Sequence, residues 1–246
     1  MKIVLVTGGS SGIGLQTVLA FQQAGYRVIS CSRDENKWNH ALAMHPELSA
    51  VDYLPVDLKD VHQTDRFFGY IRESYGHLDI AINNASPKLE SRGEFASVPI
   101  DALYSTMVTD FWIHALCLRY ELNLMPEGSA IVNLSSVNGI RPTPNAAMYS
   151  AAKHGIEGIT RSVAVEAIRK GIRVNAIAPG VTWTPRWEQQ QAELDINLRE
   201  TVSRQVPSGR FASPEEIASA ILWLSSEKAG YIVGHTLVID GGLSLS

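Results

Sequence analysis

Seven short runs of aliphatic, often β-branched residues recur along this chain: Ile3 to Val6, Arg27 to Ser30, Val51 to Pro55, Leu78 to Ile82, Ala130 to Leu134, Arg173 to Ala178 and Thr236 to Ile239. Amphipathic or apolar helical patterns lie between them, at Ile13 to Ala24, Val61 to Tyr75, Ile100 to Leu122, Met148 to Lys170 and Pro214 to Ser225. This alternation leaves few folds open, because parallel strands need a crossover long enough for a helix. The strand runs are continuously apolar rather than alternating, as expected where both faces of a sheet are covered. The expectation is an α/β fold: a Rossmann-like, doubly wound, parallel seven-stranded sheet with helices on both faces.

At 246 residues and 45% hydrophobic content the chain can build one sizeable core or two small ones, and one domain over residues 1–246 is expected. The net charge of −4 and the lack of a Lys/Arg block argue against a nucleic-acid or membrane partner and for a small ligand. Cys31 and Cys117 are the only cysteines, in no metal-like spacing, so neither a metal site nor a disulfide framework is expected and the cytoplasm is the default location. The opening MKIVLV is too short for a signal peptide or a membrane span and reads as the first strand. Ile100 to Leu122 and Met148 to Lys170 are unusually apolar around their circumference. Such helices pack either inside the domain or against a second subunit, and a homo-oligomer built through them is expected.

Directly after the first strand comes TGGSSGIG, Thr7 to Gly14, and then a helical pattern. Glycines at 8, 12 and 14 allow a tight turn, a close ligand approach and helix N-terminal N–H groups aimed at a phosphate, which makes this a candidate dinucleotide cradle. At the end of the second strand an acidic residue would bind a ribose 2′-hydroxyl and repel a 2′-phosphate. Here Ser32 and Arg33 stand instead, able to hydrogen-bond and to pair with phosphate, so NADP(H) is expected over NAD(H), with Asp34 and Glu35 opposing. Tyr149 and Lys153 lie four apart in a helical segment, hence on one face. A phenol of ordinary pKa about 10 becomes a usable acid–base when an ammonium stabilises its phenolate, and Lys153 is expected to draw the Tyr149 pKa down.

The G-x-x-x-G-x-G spacing, followed in order by VDL at 56 to 58, NNAS at 83 to 86, YSAAK at 149 to 153, RVNAIAPG at 173 to 180 and IDGG at 239 to 242, resembles the short-chain dehydrogenase/reductase family in its single-domain branch of about this length. The resemblance implies hydride transfer between a nicotinamide and a carbonyl or alcohol. It implies a cofactor site of Gly8, Ser10, Ser11, Gly12, Ile13, Gly14, Ser32 and Arg33, with Asp57 and Leu58 at the adenine. Asn83 and Ala85, with Asn84 between them, would hold the loop beside the adenosine ribose; Asn83 is the one expected to be mainly structural. Pro179, Gly180, Val181, Thr182 and Thr184 would cover the nicotinamide carboxamide, while Lys153 would also bond the nicotinamide ribose.

Ser136, thirteen residues before Tyr149, takes the place of the serine that orients the reacting oxygen in the family; Ser135 is the alternative, with packing or a backbone hydrogen bond as its other fate. Two positions depart from the pattern. Asp110 stands where the family has an asparagine beside the lysine, and Ser86 stands where NNAG has glycine. A carboxylate near Lys153 is expected to offset the field acting on Tyr149; Ser86 is read as a tolerated change or, second, a substrate contact.

Residues 181–207 read as a substrate cover whose Trp183 and Trp187 line a pocket or anchor the loop. Asn138, Arg141 and Met148 are further pocket candidates. The substrate is expected to be a small carbonyl or alcohol compound. The alternatives are a 3-oxoacyl-[acyl-carrier-protein] reductase, although Glu127 in NLMPEGSA is not the basic residue an acidic partner would want, and a non-catalytic NADP(H) sensor or scaffold. Isomerase or dehydratase chemistry, found in longer relatives, is not expected. By resemblance the C-terminal run packs across the interface of a homotetramer, with a homodimer as the other possibility.

Overall fold

A computed structural model describes residues 1–87, 89–194 and 197–246. Its seven strands are β1 (Ile3–Thr7), β2 (Arg27–Ser32), β3 (Asp52–Pro55), β4 (Ile80–Asn83), β5 (Ala130–Leu134), β6 (Arg173–Pro179) and β7 (Thr236–Ile239). They form one sheet in the order β3-β2-β1-β4-β5-β6-β7, with every neighbouring pair parallel. All seven expected strands are present, each within two residues of its expected ends. The order reverses at β1, which lies between β2 and β4, so the crevice beyond the C-terminal ends of these strands is where such a sheet receives ligands.

Two helical layers cover the sheet. On one face pack α1 (Gly12–Gln23), α2 (Glu35–Met44) and, later in the chain, the helix over Pro214–Ser225; on the other pack α3 (Val61–Tyr75) and the helices between β4 and β6. The period-two geometry of β1 sorts its side chains between the layers: Val4 and Val6 join Val18, Phe21 and Ile221, whereas Ile3 and Leu5 join Phe67, Ile71 and Cys117. The interiors of β1, β2, β4, β5 and β6 are thus buried on both sides, which is why those runs read as continuous apolar stretches, whereas the edge strands β3 and β7 are only partly covered.

The long segment from residue 100 is one continuous helical path in three parts: α4 (Ile100–Met107), a π-helical turn over Val108–Trp112, and α5 (Ile113–Glu121). The sequence pattern could not register the extra residue in that turn, which faces Thr109 and Asp110 inward. Next come α6 (Ala147–Ala167), α7 (Pro185–Leu194), α8 (Leu198–Ser203) and α9 (Pro214–Ser225). Helices α2, α7 and α8 were not expected. α2 and α7 bury little apolar surface and have polar sequences, so periodicity gave no signal. Four α-helices among the described residues carry side-chain caps: Asp34, Asp60 and Asn197 accept from backbone N–H groups of α2, α3 and α8, and Ser213 with Glu216 forms a capping box on α9, whereas α1, α4 and α6 have none. Among the described residues no helix is long and apolar enough to cross a membrane.

Apolar side chains remain exposed on the two helices expected to meet a partner, Ile100, Tyr104 and Trp112 on one and Val165 on the other; Trp223, Tyr231 and Leu245 are exposed near the C-terminus.

One carboxylate is sealed inside the far layer. Glu121 is fully buried; its Oε2 accepts from Asn83 Nδ2 at 2.9 Å and its Oε1 has no partner. Burial pushes it up to about 8 from 4.5. A carboxyl raised in the folded state stabilises the fold fully below its unfolded pKa and loses that contribution as pH rises through the folded value. Stability is therefore expected to fall between pH 4.5 and about 8. In Glu121→Gln that fall shrinks by on the order of 3 kcal/mol, read by urea denaturation at pH 5 and pH 9.

Candidate active site

The glycine loop is locked to the end of β4 before any ligand enters. Thr7 Oγ1 accepts from the backbone N–H groups of Asn84 and Ala85 at 3.0 and 3.1 Å, and Asn84 Nδ2 donates to the carbonyls of Thr7 and Gly8 at 3.0 and 3.2 Å. That contact leaves no room for side chains. A Cβ on Gly14 would sit 2.2 Å from the Gly8 carbonyl oxygen and 2.4 Å from Asn84 Nδ2, and Gly8 itself has φ of +72°. Two of the three expected glycines are thus explained by the protein's own packing. Gly12, with φ of +57°, is the one whose Cβ direction meets only the Thr184 side chain.

The N-terminus of α1 is uncapped: Ser11, its N-cap, makes no side-chain cap bond, and the first turn holds no acidic residue. Free N–H groups at a helix N-terminus are an anion site. The pyrophosphate of a dinucleotide fits the donors present, with Gly12 leaving space for it.

A cleft of about 700 Å³ opens from this loop. Of the expected cofactor residues, Gly8, Ser11, Gly12, Ile13, Gly14, Ser32, Arg33, Asp57, Leu58, Asn84, Ala85, Pro179, Gly180, Val181, Thr182 and Thr184 line it, as do Ser136, Tyr149 and Lys153. Ser10 does not: its side chain is buried within the loop's surroundings and is absent from the lining. Asn83 also points away, donating to Glu121 and to Asn133 Oδ1, the structural role expected of it. At the adenosine end Asp34, a concern for a 2′-phosphate, is turned to its capping bond with Lys37 N and lies 3.8 Å from Lys37 Nζ. Arg33 is exposed on the cleft wall, and Lys59, which the sequence reading missed, faces the same end. Ser32 Oγ is shared with the Tyr53 hydroxyl at 2.8 Å.

At the other end, Ser136 follows β5, Tyr149 and Lys153 come from α6, and Ser136 hydrogen-bonds Tyr149. Ser135 is buried, donating to the Lys153 carbonyl at 3.4 Å, which leaves Ser136 as the serine facing the cleft tyrosine. Lys153 is almost wholly buried; Nζ donates to the Leu134 carbonyl at 3.0 Å, lies 5.6 Å from the centre of the Tyr149 ring, and is 4.0 Å from Asp110 Oδ1. Burial holds the lysine below its ordinary pKa, with Asp110 opposing. Tyr149 departs from expectation. Burial pushes its pKa up to about 12 and Asp110 adds to the rise; Arg186 and the bond with Ser136 act the other way. In the chain alone, desolvation therefore outweighs any depression by Lys153, whose charge is turned toward Leu134 and Asp110.

The two departures from the family pattern meet. Ser86 Oγ donates to Asp110 Oδ1 at 2.6 Å, Thr109 Oγ1 donates to Asp110 Oδ2 at 3.0 Å, and the carboxylate is 1% exposed. Ser86 therefore has a structural partner in addition to its place on the cleft lining: a glycine there would leave the buried aspartate one donor short. His114, one turn on, is also buried, with Nε2 on the Ala85 carbonyl at 2.9 Å and burial and Lys153 lowering its pKa to about 3. A neutral imidazole therefore backs the loop, which periodicity alone could not have identified.

Within residues 181–207, Trp183 and Trp187 each pack edge-on against Phe211, and Trp187 reaches the cleft. Residues 195 and 196 of that segment lie outside the described residues. Asn138 and Arg141 line the cleft, whereas Met148 does not. Among the described residues no group of three His, Cys, Asp or Glu side chains is placed to hold a metal.

The Ser86 hydroxyl donates to a buried charge, so Ser86→Ala is expected to cost about 2 kcal/mol in urea unfolding. The cost should shrink in an Asp110→Asn background, because the two changes remove the same charge-assisted bond.

Known proteins share this architecture from end to end. A family model described as enoyl-(acyl carrier protein) reductase matches residues 8–244. The short chain dehydrogenase/reductase astE of Aspergillus oryzae is 36% identical over 250 residues, 99% of this chain and 95% of that protein. The 3-oxoacyl-[acyl-carrier-protein] reductase FabG of Thermotoga maritima is 33% identical over 254 residues, 98% of this chain and 97% of its own. A solved structure, ElxO with NADP bound, superposes with a TM-score of 0.93 at 30% identity, covering 100% of this chain and 99% of that one. With the sheet order, the glycine loop and the Ser-Tyr-Lys constellation in place, this chain belongs to the short-chain dehydrogenase/reductase family, oxidoreductases that act between CH–OH and C=O groups with a nicotinamide dinucleotide.

Proposed function

We propose that the protein is an NADP(H)-dependent reductase or dehydrogenase of small carbonyl and secondary alcohol compounds. The observation that carries this reading is one continuous cleft joining the uncapped N-terminus of α1 to Ser136, Tyr149 and Lys153, with Arg33 and Lys59 at its adenosine end. The guanidinium and the ammonium suit a 2′-phosphate, and the nearest acids are engaged: Asp34 caps α2, and Asp57 accepts from Lys59 N and lies 3.8 Å from Lys59 Nζ. The solved relative bound to NADP agrees with this preference.

When bound, the dinucleotide supplies or accepts the hydride at the substrate carbon. The residues do the rest. In reduction Tyr149 Oη gives its proton to the carbonyl oxygen as the C–H bond forms, and Ser136 Oγ holds that oxygen by a hydrogen bond. In oxidation the phenolate takes the proton back. Lys153, fixed by the Leu134 carbonyl, faces the same site and would bond the nicotinamide ribose; Asp110 positions it from below. Val181 to Pro207 acts as the substrate cover, and residues 1–246 act as one unit. The exposed apolar faces of α4 to α6 and of the C-terminal end support assembly as a homotetramer or homodimer, and the two free cysteines suit a reducing compartment such as the cytoplasm.

A second reading, reduction of 3-oxoacyl groups on acyl carrier protein, is favoured by the 33% identity to FabG. Oxidation of NADPH with a panel of ketones, aldehydes, keto-esters, a 3-oxoacyl thioester and an enoyl thioester separates the readings. Tight binding without turnover on any member would instead make the protein a cofactor-binding scaffold.

Titration with NADPH and NADH is expected to favour NADPH, and Arg33→Asp to cost NADPH about tenfold or more in affinity while sparing NADH. For alcohol oxidation, which needs the phenolate, Asp110→Asn removes a charge that raises the Tyr149 pKa. The rising limb of its kcat/KM against pH is therefore expected to move to lower pH by on the order of one unit.

A further inference from the structure

The charged lining of the cleft is lopsided. Its acids, Asp34 and Asp57, both lie at the adenosine end, whereas the part beyond Ser136 and Tyr149 presents Arg92, Arg141 and Arg186 and, among the described residues, no carboxylate at all. The whole chain carries a net charge of −4, so this local excess of cations is not a by-product of composition. Each arginine is placed from a different element. Arg92 is exposed on the rim beside Ser91, which is buried and bonded to Thr106 of α4 at 2.8 Å. Arg141 follows the turn after Ser136; its Nη1 donates to the Leu243 carbonyl at 2.6 Å, and its buried Nε has no partner.

Arg186 is the most telling. It projects from α7, the first helix of the cover, and its Nη2 donates to the carbonyls of Ser86 and Pro87 at 2.8 and 2.7 Å. Those bonds pin the guanidinium over the strand end whose serine holds Asp110, while Nη1 and Nε are left for another acceptor. No acid among the described residues pairs with it. Its field reaches the reacting groups, since it lowers the pKa of both Tyr149 and Lys153.

We propose that the substrate is a small carbonyl or alcohol compound bearing a carboxylate or phosphate, and that Arg186 of the cover, with Arg92 on the rim, binds that anionic group and sets specificity. The inference deepens the reductase reading and rests on it. Asp240 partly offsets the charge of Arg141, whereas Arg186 has no such partner among the described residues; an anion beside Arg186 and Arg92 meets their positive charge and matches the planar donor fork. Low-dielectric walls also concentrate the field, so an anion is drawn toward the cleft from solution. An apolar patch of Val137, Val181, Val206 and Leu243 adjoins Arg141 and suits a short aliphatic backbone between the carbonyl and the charge.

Matched pairs test this: 4-oxopentanoate against its methyl ester, and dihydroxyacetone phosphate against dihydroxyacetone. Both NADPH turnover and binding to the NADP-loaded protein are measured. The expected result is at least a tenfold preference in kcat/KM and in affinity for the anionic member of one pair or both, and the pair that responds distinguishes carboxylate from phosphate. In Arg186→Gln the ratio within that pair should collapse, carried by KM and not by kcat, with Arg186→Lys restoring part of it and Arg92→Gln lowering it less. Equal treatment of charged and neutral members overturns the proposal, as does a loss in Arg186→Gln that falls on NADPH affinity and on both members alike, which would make this arginine a cofactor contact. Anion-selective binding without turnover keeps the proposal and sinks the reductase reading; turnover without selectivity does the reverse.

Discussion

The site depends on a contact in which there is no space for a methyl group. Gly14 lies against the Gly8 carbonyl and the Asn84 amide, and that closeness lets one asparagine and one threonine tie the first strand–helix turn to the end of β4. The tie crosses the point at which strand order reverses, so it fixes the dinucleotide cradle relative to β4. From β4 the register runs on through β5, whose Asn83↔Asn133 pairing brings the end of that strand level with the loop. Ser136 is therefore placed two residues beyond β5, facing the same crevice as the uncapped turn of α1. The helix that carries Tyr149 and Lys153 needs only to pack across that strand end to complete the constellation.

Much of this was legible in the sequence, and the reason is physical. Strands buried on both faces must be apolar throughout, so the five inner strands announce themselves, and the partly covered edge strands β3 and β7 still carry β-forming residues; a turn in which two backbones meet this closely must be glycine, so the cradle is legible too. Tyr149 and Lys153 are related by one helical turn, a relation that sequence spacing expresses directly. What the sequence hid is what depends on long-range proximity. Ser86 and Asp110 are 24 residues apart and were read as separate departures, yet they share one hydrogen bond. The helices α2 and α7 bury too little to leave a periodic trace, and Lys59 and Arg186 gain meaning only from the cleft they face.

The expected electrostatics failed for a related reason. An ammonium four residues from a phenol looks like a sufficient device for lowering its pKa. In the folded chain that ammonium is itself stripped of water, bonded to a backbone carbonyl and drawn toward a carboxylate, while the phenol pays its own burial. A neighbour's charge acts on a group only after the surroundings of both have been counted. The buried aspartate is held by the Ser86 hydroxyl, with the single Thr109 proton shared between it and the Ser105 carbonyl, so its effect on the site was fixed when Ser86 and Thr109 were placed beside it.

The same accounting explains how a chain of net negative charge presents a cationic cleft. Most of its carboxylates near the cleft are committed to backbone N–H groups, Asp34 and Asp60 at helix starts, Asp57 to Lys59 N, and Asp240 to the N–H groups of Gly242 and Ser244, while Asp110 is held by side-chain hydroxyls. A carboxylate that accepts such bonds has its charge spread into the local backbone dipoles and projects less field into the cavity. Guanidiniums bonded to carbonyl oxygens differ, because a neutral acceptor leaves the formal positive charge in place. Arg186 is of this kind, and so in part is Arg141, which bonds a carbonyl but also has Asp240 within its field. The sign of the cleft therefore follows from which charges have been given backbone partners of what type, a property that net charge and composition do not report.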